Sequence, residues 1–531
     1  MRTSDGVRLD ADVYRPAGGG DHPVLLMRQP YGRRIATTVC YAHPAWYAAQ
    51  GYIVVVQDVR GRGTSEGTFT LFEQEAADGA ESVDWCATLP GSTGAVGMYG
   101  FSYQGVTQLL AAAAGPAALK AIAPAMIGWD LRQDWAWSGG AFCLAANLSW
   151  AVQIAAQEAR RQGDAAAFAE LAEAARSLPI GRTIAARPDI LDAHARYAPH
   201  HARWRDAAAD DPYWARISPA AHAGALTTGG PPALFVSGWY DSHLTGTVAA
   251  YRAYQTAGAA AELVIGPWAH FPWGRWIGGR DFGTAAIGDI DRRQIAFFDR
   301  HLKGHVRPAT PPVRLFDTGA DRWIERADWP ADLAAWRIAG GGRAALDERD
   351  GRLGPQVAGE AAAERLVHDP WRPVQTVGGA LGTVAGPLDR TEADARPDVL
   401  TYTTDPLPAP LTLAGEPVAV LAATADRPSF DLSCTLTLVG ADGRSVWLSD
   451  GYRHCPAELP EPVRIVLRPL CVTIPAGARL RLAVAGACFP AFPVNPGTGE
   501  RPVDAAVDSA EVTTIRLGHD ESRLFVPIAP A

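Results

Sequence analysis

Apolar positions follow different rhythms along this chain, and the changes of rhythm divide it. Val7 to Tyr14 alternates apolar and polar residues, which predicts a half-exposed strand. Pro23 to Met27 and Tyr52 to Val56 are short continuous apolar runs, as expected of strands covered on both faces. Glu73 to Ala87 has helical spacing, and Leu119 to Pro124 returns to a strand. Together these predict a parallel, doubly wound α/β sheet. From Trp129 to Ala223 the strand signals stop. Ala145 to Leu178, rich in alanine, glutamate, arginine and glutamine, reads as a helical insertion. The βα pattern resumes with Ala233 to Val236 and Glu262 to Ile265, and a helix then runs to a glycine stop at Gly304. Beyond residue 310 the chain turns to short β-rich runs between Pro/Gly turns. Val313–Phe316, Val418–Leu421, Ser445–Leu448, Arg464–Leu467 and Arg479–Val484 predict a β-sandwich.

Composition narrows the function classes. The chain has 531 residues, 48% apolar and 20% charged, ordinary for a globular protein with several domains. A net charge of −9 argues against a nucleic-acid or anionic-membrane surface. No apolar run is long enough to span a bilayer and Met1 to Gly6 is polar, so the expected location is the cytoplasm. The oligomeric state is left open, a homodimer included. The seven cysteines are scattered, odd in number and without metal-site spacing. They read as buried free thiols, with a bridge in the Cys434–Cys488 group left open. There is no nicotinamide, phosphate-loop or metal signature, and no cofactor is expected.

The chemistry centres on Gly100-Phe101-Ser102-Tyr103-Gln104-Gly105, between a β-type run and a helix-prone run. A serine on a tight strand-to-helix turn is how an α/β-hydrolase lifts a nucleophile above its sheet. A serine hydroxyl needs a base, and the base needs a partner to fix its tautomer. In this fold the order is Ser, then Asp or Glu, then His. After Ser102, one strand runs into Gly238-Trp239-Tyr240-Asp241 and the next into Gly266-Pro267-Trp268-Ala269-His270. Asp58 precedes the serine and reads as the brace of its own Arg/Gly-rich loop. His243 and His301 do not sit at the end of the last strand. Arg60 and Arg62 read as structural ion pairs.

These motifs resemble the bacterial cocaine esterase group, the CocE/NonD hydrolases, which are related to X-Pro dipeptidyl-peptidases and amino-acid ester hydrolases. The resemblance covers nearly the whole chain. It rests on Arg28–Tyr31, Asp58–Gly67, Gly100–Gly105, Gly238–Asp241, Gly266–His270 and Leu302–Gly304, with Phe489–Pro490 and Asn495–Gly499 near the C-terminus. It implies an α/β-hydrolase core (1–128 and 224–310) split by a helical cap (129–223) and followed by a jelly-roll-like β-sandwich (311–531).

The resemblance further implies Ser102 as nucleophile, His270 as general base and Asp241 as its partner. The Tyr31 hydroxyl and the Tyr103 N–H would form the oxyanion hole. Trp135 and Trp150 match tryptophans that line the acyl pocket, and His243 stands where the esterases carry an aromatic residue. Amino-acid ester hydrolases place acids two and three residues after the triad aspartate. Here those positions are His243 and Leu244, although Asp130 and Asp134 remain available in the cap.

The expected function is a serine hydrolase cleaving an ester, or less favourably an amide, of a small apolar or aromatic acyl group through an acyl-enzyme. The alternatives are an X-Pro dipeptidyl-peptidase, an aminoacyl ester hydrolase, an acyl transferase or cyclase with the same triad, and a sugar-binding protein with a vestigial site.

Overall fold

The computed structural model describes residues 1–34, 40–180, 189–271, 273–306, 310–330, 332–357, 362–456, 462–505 and 507–529. Its N-terminal part is built on one nine-stranded sheet. In chain order the strands are β1 (Ala11–Tyr14), β2 (His22–Gln29), β3 (Ile53–Asp58), β4 (Ser92–Phe101), β5 (Leu119–Ala125), β6 (Ala233–Tyr240), β7 (Ala261–Ala269), β8 (Val313–Asp317) and β9 (Arg322–Arg326). Across the sheet they run β1-β3-β2-β4-β5-β6-β7-β8-β9. The interior pairs are parallel, and only the two edge pairs, β1·β3 and β8·β9, are antiparallel. Every residue of β3 and β6 is buried, because helices cover both faces. Because β4, β5, β6 and β7 are consecutive parallel strands of the sheet, the C-terminal ends of β4, β6 and β7 lie on the same side of it, with β5 between β4 and β6.

Between β5 and β6 the chain leaves the sheet and forms the cap. The helical run from Ala145 to Leu178 is two helices, Leu144–Arg161 and Ala165–Arg176. The break falls at Gly163, whose φ of +78° suits glycine, and Asp164 caps the second helix by accepting the Ala167 N–H at 3.0 Å. The cap also holds a small hairpin, Trp137–Ser138 with Ala141–Phe142, in a stretch where no strand was expected.

The C-terminal region forms a ten-stranded, mostly antiparallel sheet. Its outermost strands, Ser445–Pro456 and Val463–Val466, come back together: a Cβ on Gly451 would stand 2.7 Å from the Val466 carbonyl. The sheet thus rolls around its own core of Leu, Val and Ile side chains, such as Leu432, Leu436, Leu482 and Leu524. One expected element belongs elsewhere. Val313–Asp317 does not join this sheet but pairs in parallel with β7, so the hydrolase sheet continues past residue 310 to Arg326. Its short β-rich sequence resembles the sandwich strands, but its burial on both faces is that of a parallel strand.

All seven cysteines are free, five of them buried. Among the described residues no helix is long and apolar enough to cross a membrane.

Candidate active site

The turn after β4 is strained. Ser102 has φ +59° and ψ −126°, a region costing a non-glycine residue about 1–3 kcal/mol. The fold holds it there: the Ser102 N–H donates to the Ala125 carbonyl at 2.8 Å, and the helix Tyr103–Ala113 starts at once. The flanking glycines are required. A Cβ on Gly105 would sit 2.2 Å from Ile127 Cγ2, and one on Gly100 would meet Gln104 Cβ at 2.5 Å. The Tyr103 N–H belongs to the first turn of that helix and has no intrahelical acceptor. The Tyr103 ring turns away into the core, where it stacks on Phe72 with centroids 4.2 Å apart. Its hydroxyl donates to Glu75 at 2.7 Å, and Glu75 in turn pairs with buried Arg28 at 2.5 Å. This network braces the turn from below.

Asp241 and His270 follow β6 and β7. His270 Nδ1 lies 2.8 Å from Asp241 Oδ1, and the Ser237 hydroxyl donates to Asp241 Oδ2 at 2.9 Å. Asp241 is fully buried. Burial alone would raise its carboxyl, but the hydrogen bond and charge of His270 outweigh that and hold it below the ordinary value. His270, by contrast, is partly open and lines the same cavity as Ser102 and Tyr31. The Tyr31 hydroxyl accepts from Trp150 Nε1 at 3.3 Å, and Tyr31 lines the same cavity as Ser102. Burial raises the phenol above its usual value, so Tyr31 stays protonated and able to donate. A hydroxyl nucleophile, a carboxylate-oriented imidazole and a protonated phenol around one space can transfer an acyl group.

That space is a cavity of about 520 Å³. Trp135 and Trp150 form one wall, with ring centroids 5.2 Å apart, and His243 lies against Trp135 at 4.0 Å. His243 is also 5.2 Å from His270, ring to ring. Burial pulls its pKa down to about 4, so it stays a neutral, flat wall residue near neutral pH. Several lining residues carry no sequence motif. Ser149, Gln153 and Gln157 recur every fourth position of the cap helix, which is the one signal that could have placed them on a common face. Gln104 contributes from the serine turn. Ala380, Gly382 and Thr383 come from the C-terminal region and close the far side. A larger cavity of about 760 Å³ lies between cap and β-domain and contains neither Ser102 nor His270, so size alone does not mark the site.

The competing residues have other work. Asp58 accepts from Gln29 Nε2 at 2.8 Å, from the Arg33 N–H at 2.7 Å and from Arg33 Nη1 at 2.6 Å, bracing its loop. Arg60 pairs with Asp78 and Asp5. Arg62 ties the core to the cap through the Pro30 carbonyl, Gln157 and Glu158. His301 packs on Phe297, on the helix Ile290–Leu302.

Comparison with known proteins agrees with this architecture. The model of the X-Pro dipeptidyl-peptidase S15 family matches residues 5–272, and that of the X-Pro dipeptidyl-peptidase C-terminal non-catalytic domain matches residues 305–524. A cocaine esterase from Rhodococcus sp. (strain MB1 Bresler) is 34% identical over 540 residues, spanning 93% of this chain and 91% of that protein. Two solved structures share the fold. An aminopeptidase from a marine sediment thaumarchaeon superposes with a TM-score of 0.81 at 24% identity, covering 99% of this chain and 95% of that one. An α-amino acid ester hydrolase superposes with a TM-score of 0.77 at 23% identity, again covering 99% and 95%.

Proposed function

The chain belongs to the X-Pro dipeptidyl-peptidase S15 family and to its cocaine esterase-like CocE/NonD hydrolases, and from that membership we propose a serine hydrolase that cleaves esters of small, neutral, apolar or aromatic acyl groups through an acyl-enzyme. Ser102 Oγ attacks the ester carbonyl carbon as His270 takes its proton. Asp241 keeps the proton on Nδ1, so that Nε2 faces the serine as the base. The tetrahedral oxyanion accepts hydrogen bonds from the Tyr31 hydroxyl and the Tyr103 N–H. On collapse His270 returns the proton to the leaving alcohol. A water, deprotonated by His270, then attacks the acyl carbonyl, and His270 returns that proton to Ser102 Oγ as the acid leaves.

One observation carries the choice of substrate. Among the described residues lining the cavity with Ser102 there is no Asp or Glu. An α-ammonium group, the recognition handle of an aminoacyl ester or a peptide N-terminus, would be buried there without a counter-charge, which is costly. The cap carboxylates do not supply one. Asp134 Oδ2 accepts the backbone N–H groups of Trp129 and Asp130 at 3.2 and 2.9 Å, and Asp134 lines the other cavity. Asp130 Oδ1 accepts the N–H groups of Arg132 and Gln133.

The test is a panel of 4-nitrophenyl esters and anilides. Butyryl and benzoyl esters should exceed matched α-amino esters, and X-Pro anilides, by at least about tenfold in kcat/KM, the discrimination expected of one uncompensated polar group. Faster turnover of the α-amino esters or X-Pro anilides would replace this reading with the aminoacyl or dipeptidyl one.

The oxyanion assignment has its own test. Tyr31→Phe should lower kcat about 10²- to 10³-fold, equivalent to about 2.7–4 kcal/mol, with little change in KM. An unchanged kcat would remove the phenol from the oxyanion hole.

A further inference from the structure

A residue of the β-domain reaches the turn that carries Asp241. Arg468 lies in the connection between the strands Val463–Val466 and Leu470–Ile474 and is only 6% exposed. Its guanidinium crosses to the turn after β6. There Nη2 donates to the carbonyl of Asp241, and Nη1 to that of Ser242 at 3.5 Å. The Asp241 carbonyl also accepts the Leu244 N–H at 3.2 Å, so both of its lone pairs are used. Arg468 is fixed from behind as well. Its own N–H donates to the Asp450 carbonyl at 2.8 Å, and its carbonyl accepts the Ser449 hydroxyl at 2.6 Å. The Asp450 carboxyl lies close enough to feel its charge. A buried guanidinium is expensive unless hydrogen bonds hold it, and two neighbouring carbonyls suit its planar fork better than a lysine ammonium.

We propose that Arg468 is a positioning residue for the reaction: by clamping the Asp241–Ser242 peptide it fixes how the Asp241 carboxylate meets His270. This rests on the reading of Asp241 and His270 as members of the triad. It gives a part in turnover to a domain whose family model is described as non-catalytic. Arg468 does not line the cavity that holds Ser102, so its loss should act on the chemical step and leave substrate binding alone. Misplacing a reacting group by about 1 Å can cost on the order of 10²-fold in rate.

The experiment uses the full chain and four variants, Arg468→Met, Arg468→Lys, Asp241→Asn and the double variant Arg468→Met with Asp241→Asn, assayed with a 4-nitrophenyl ester beside thermal unfolding. Arg468→Met should lose about 10- to 100-fold in kcat with KM within about twofold, and Arg468→Lys should recover part of that loss. The double variant should be no slower than Asp241→Asn alone, because the arginine works through the aspartate. An unchanged kcat in Arg468→Met, a loss confined to KM, or losses that multiply in the double variant would each overturn the proposal. If Arg468→Met does not fold, Arg468→Lys decides: a several-fold fall in kcat at constant KM supports the clamp, and wild-type kcat overturns it. If Asp241→Asn itself keeps wild-type kcat, the triad reading fails first, and the proposal falls with it.

Discussion

Ser102→Ala is expected to lower kcat about 10⁶-fold while KM changes little. The magnitude follows from the role proposed for the serine. Without Oγ there is no acyl-enzyme, and the imidazole and oxyanion donors can only assist a direct attack by water. Triads of this kind retain a residual advantage of about 10³–10⁴ over water from the oxyanion hole and binding alone. The fold should tolerate the change well. Alanine is smaller, the strained turn is held by the Ser102 backbone and by Gly100 and Gly105, and the serine hydroxyl faces the cavity. Thermal unfolding should therefore stay close to wild type. Steady-state kinetics on a protein purified apart from any wild-type enzyme check this, and a kcat within tenfold of wild type would remove Ser102 from the reaction.

Asp241→Asn should cost about 10⁴-fold in kcat, the loss expected when the base is held in the wrong tautomer. The buried carboxylate now accepts from the Ser237 hydroxyl at one oxygen and faces His270 Nδ1 at the other. An asparagine fits the same space, but its NH₂ group can face Nδ1 and draw the ring proton to Nε2. The imidazole would then present a donor, not a lone pair, to Ser102. The shape is conserved and the chemistry is not, so KM should move little. A kcat loss of less than tenfold would mean that His270 does not depend on Asp241 for its tautomer.

Much of this was legible in the sequence, and for physical reasons. Tyr52–Val56 announced itself as a buried strand because a parallel strand covered on both faces needs an unbroken apolar run. Gly100–Gly105 was legible because the packed turn leaves no room for a side chain at either glycine, where a Cβ would meet Gln104 or Ile127. Ser102, Asp241 and His270 could be ordered because each follows a strand, and the parallel sheet brings those strand ends to one side of it. Other features had no local mark. Arg468 is one arginine among many, and its partner lies 227 positions away. Ala380, Gly382 and Thr383 in the cavity wall are small residues with no chemistry to advertise. Val313–Asp317 has the composition of a sandwich strand, and only its pairing with β7 reveals the sheet it belongs to. The cap hairpin at Trp137–Phe142 is too short to show a period. It is held by the β-domain, where the His454 N–H donates to the Gly139 carbonyl at 2.9 Å.

The central claim is that Ser102 carries the acyl group. The most direct measurement is mass spectrometry of the protein after reaction with an aryl alkylphosphonate, followed by peptide mapping. One phosphonyl adduct per chain should appear on the peptide containing Ser102, with loss of esterase activity in step with its formation, and Ser102→Ala should take up none. An adduct on another residue that tracks the loss of activity, or full labelling of the Ser102→Ala protein, would contradict it.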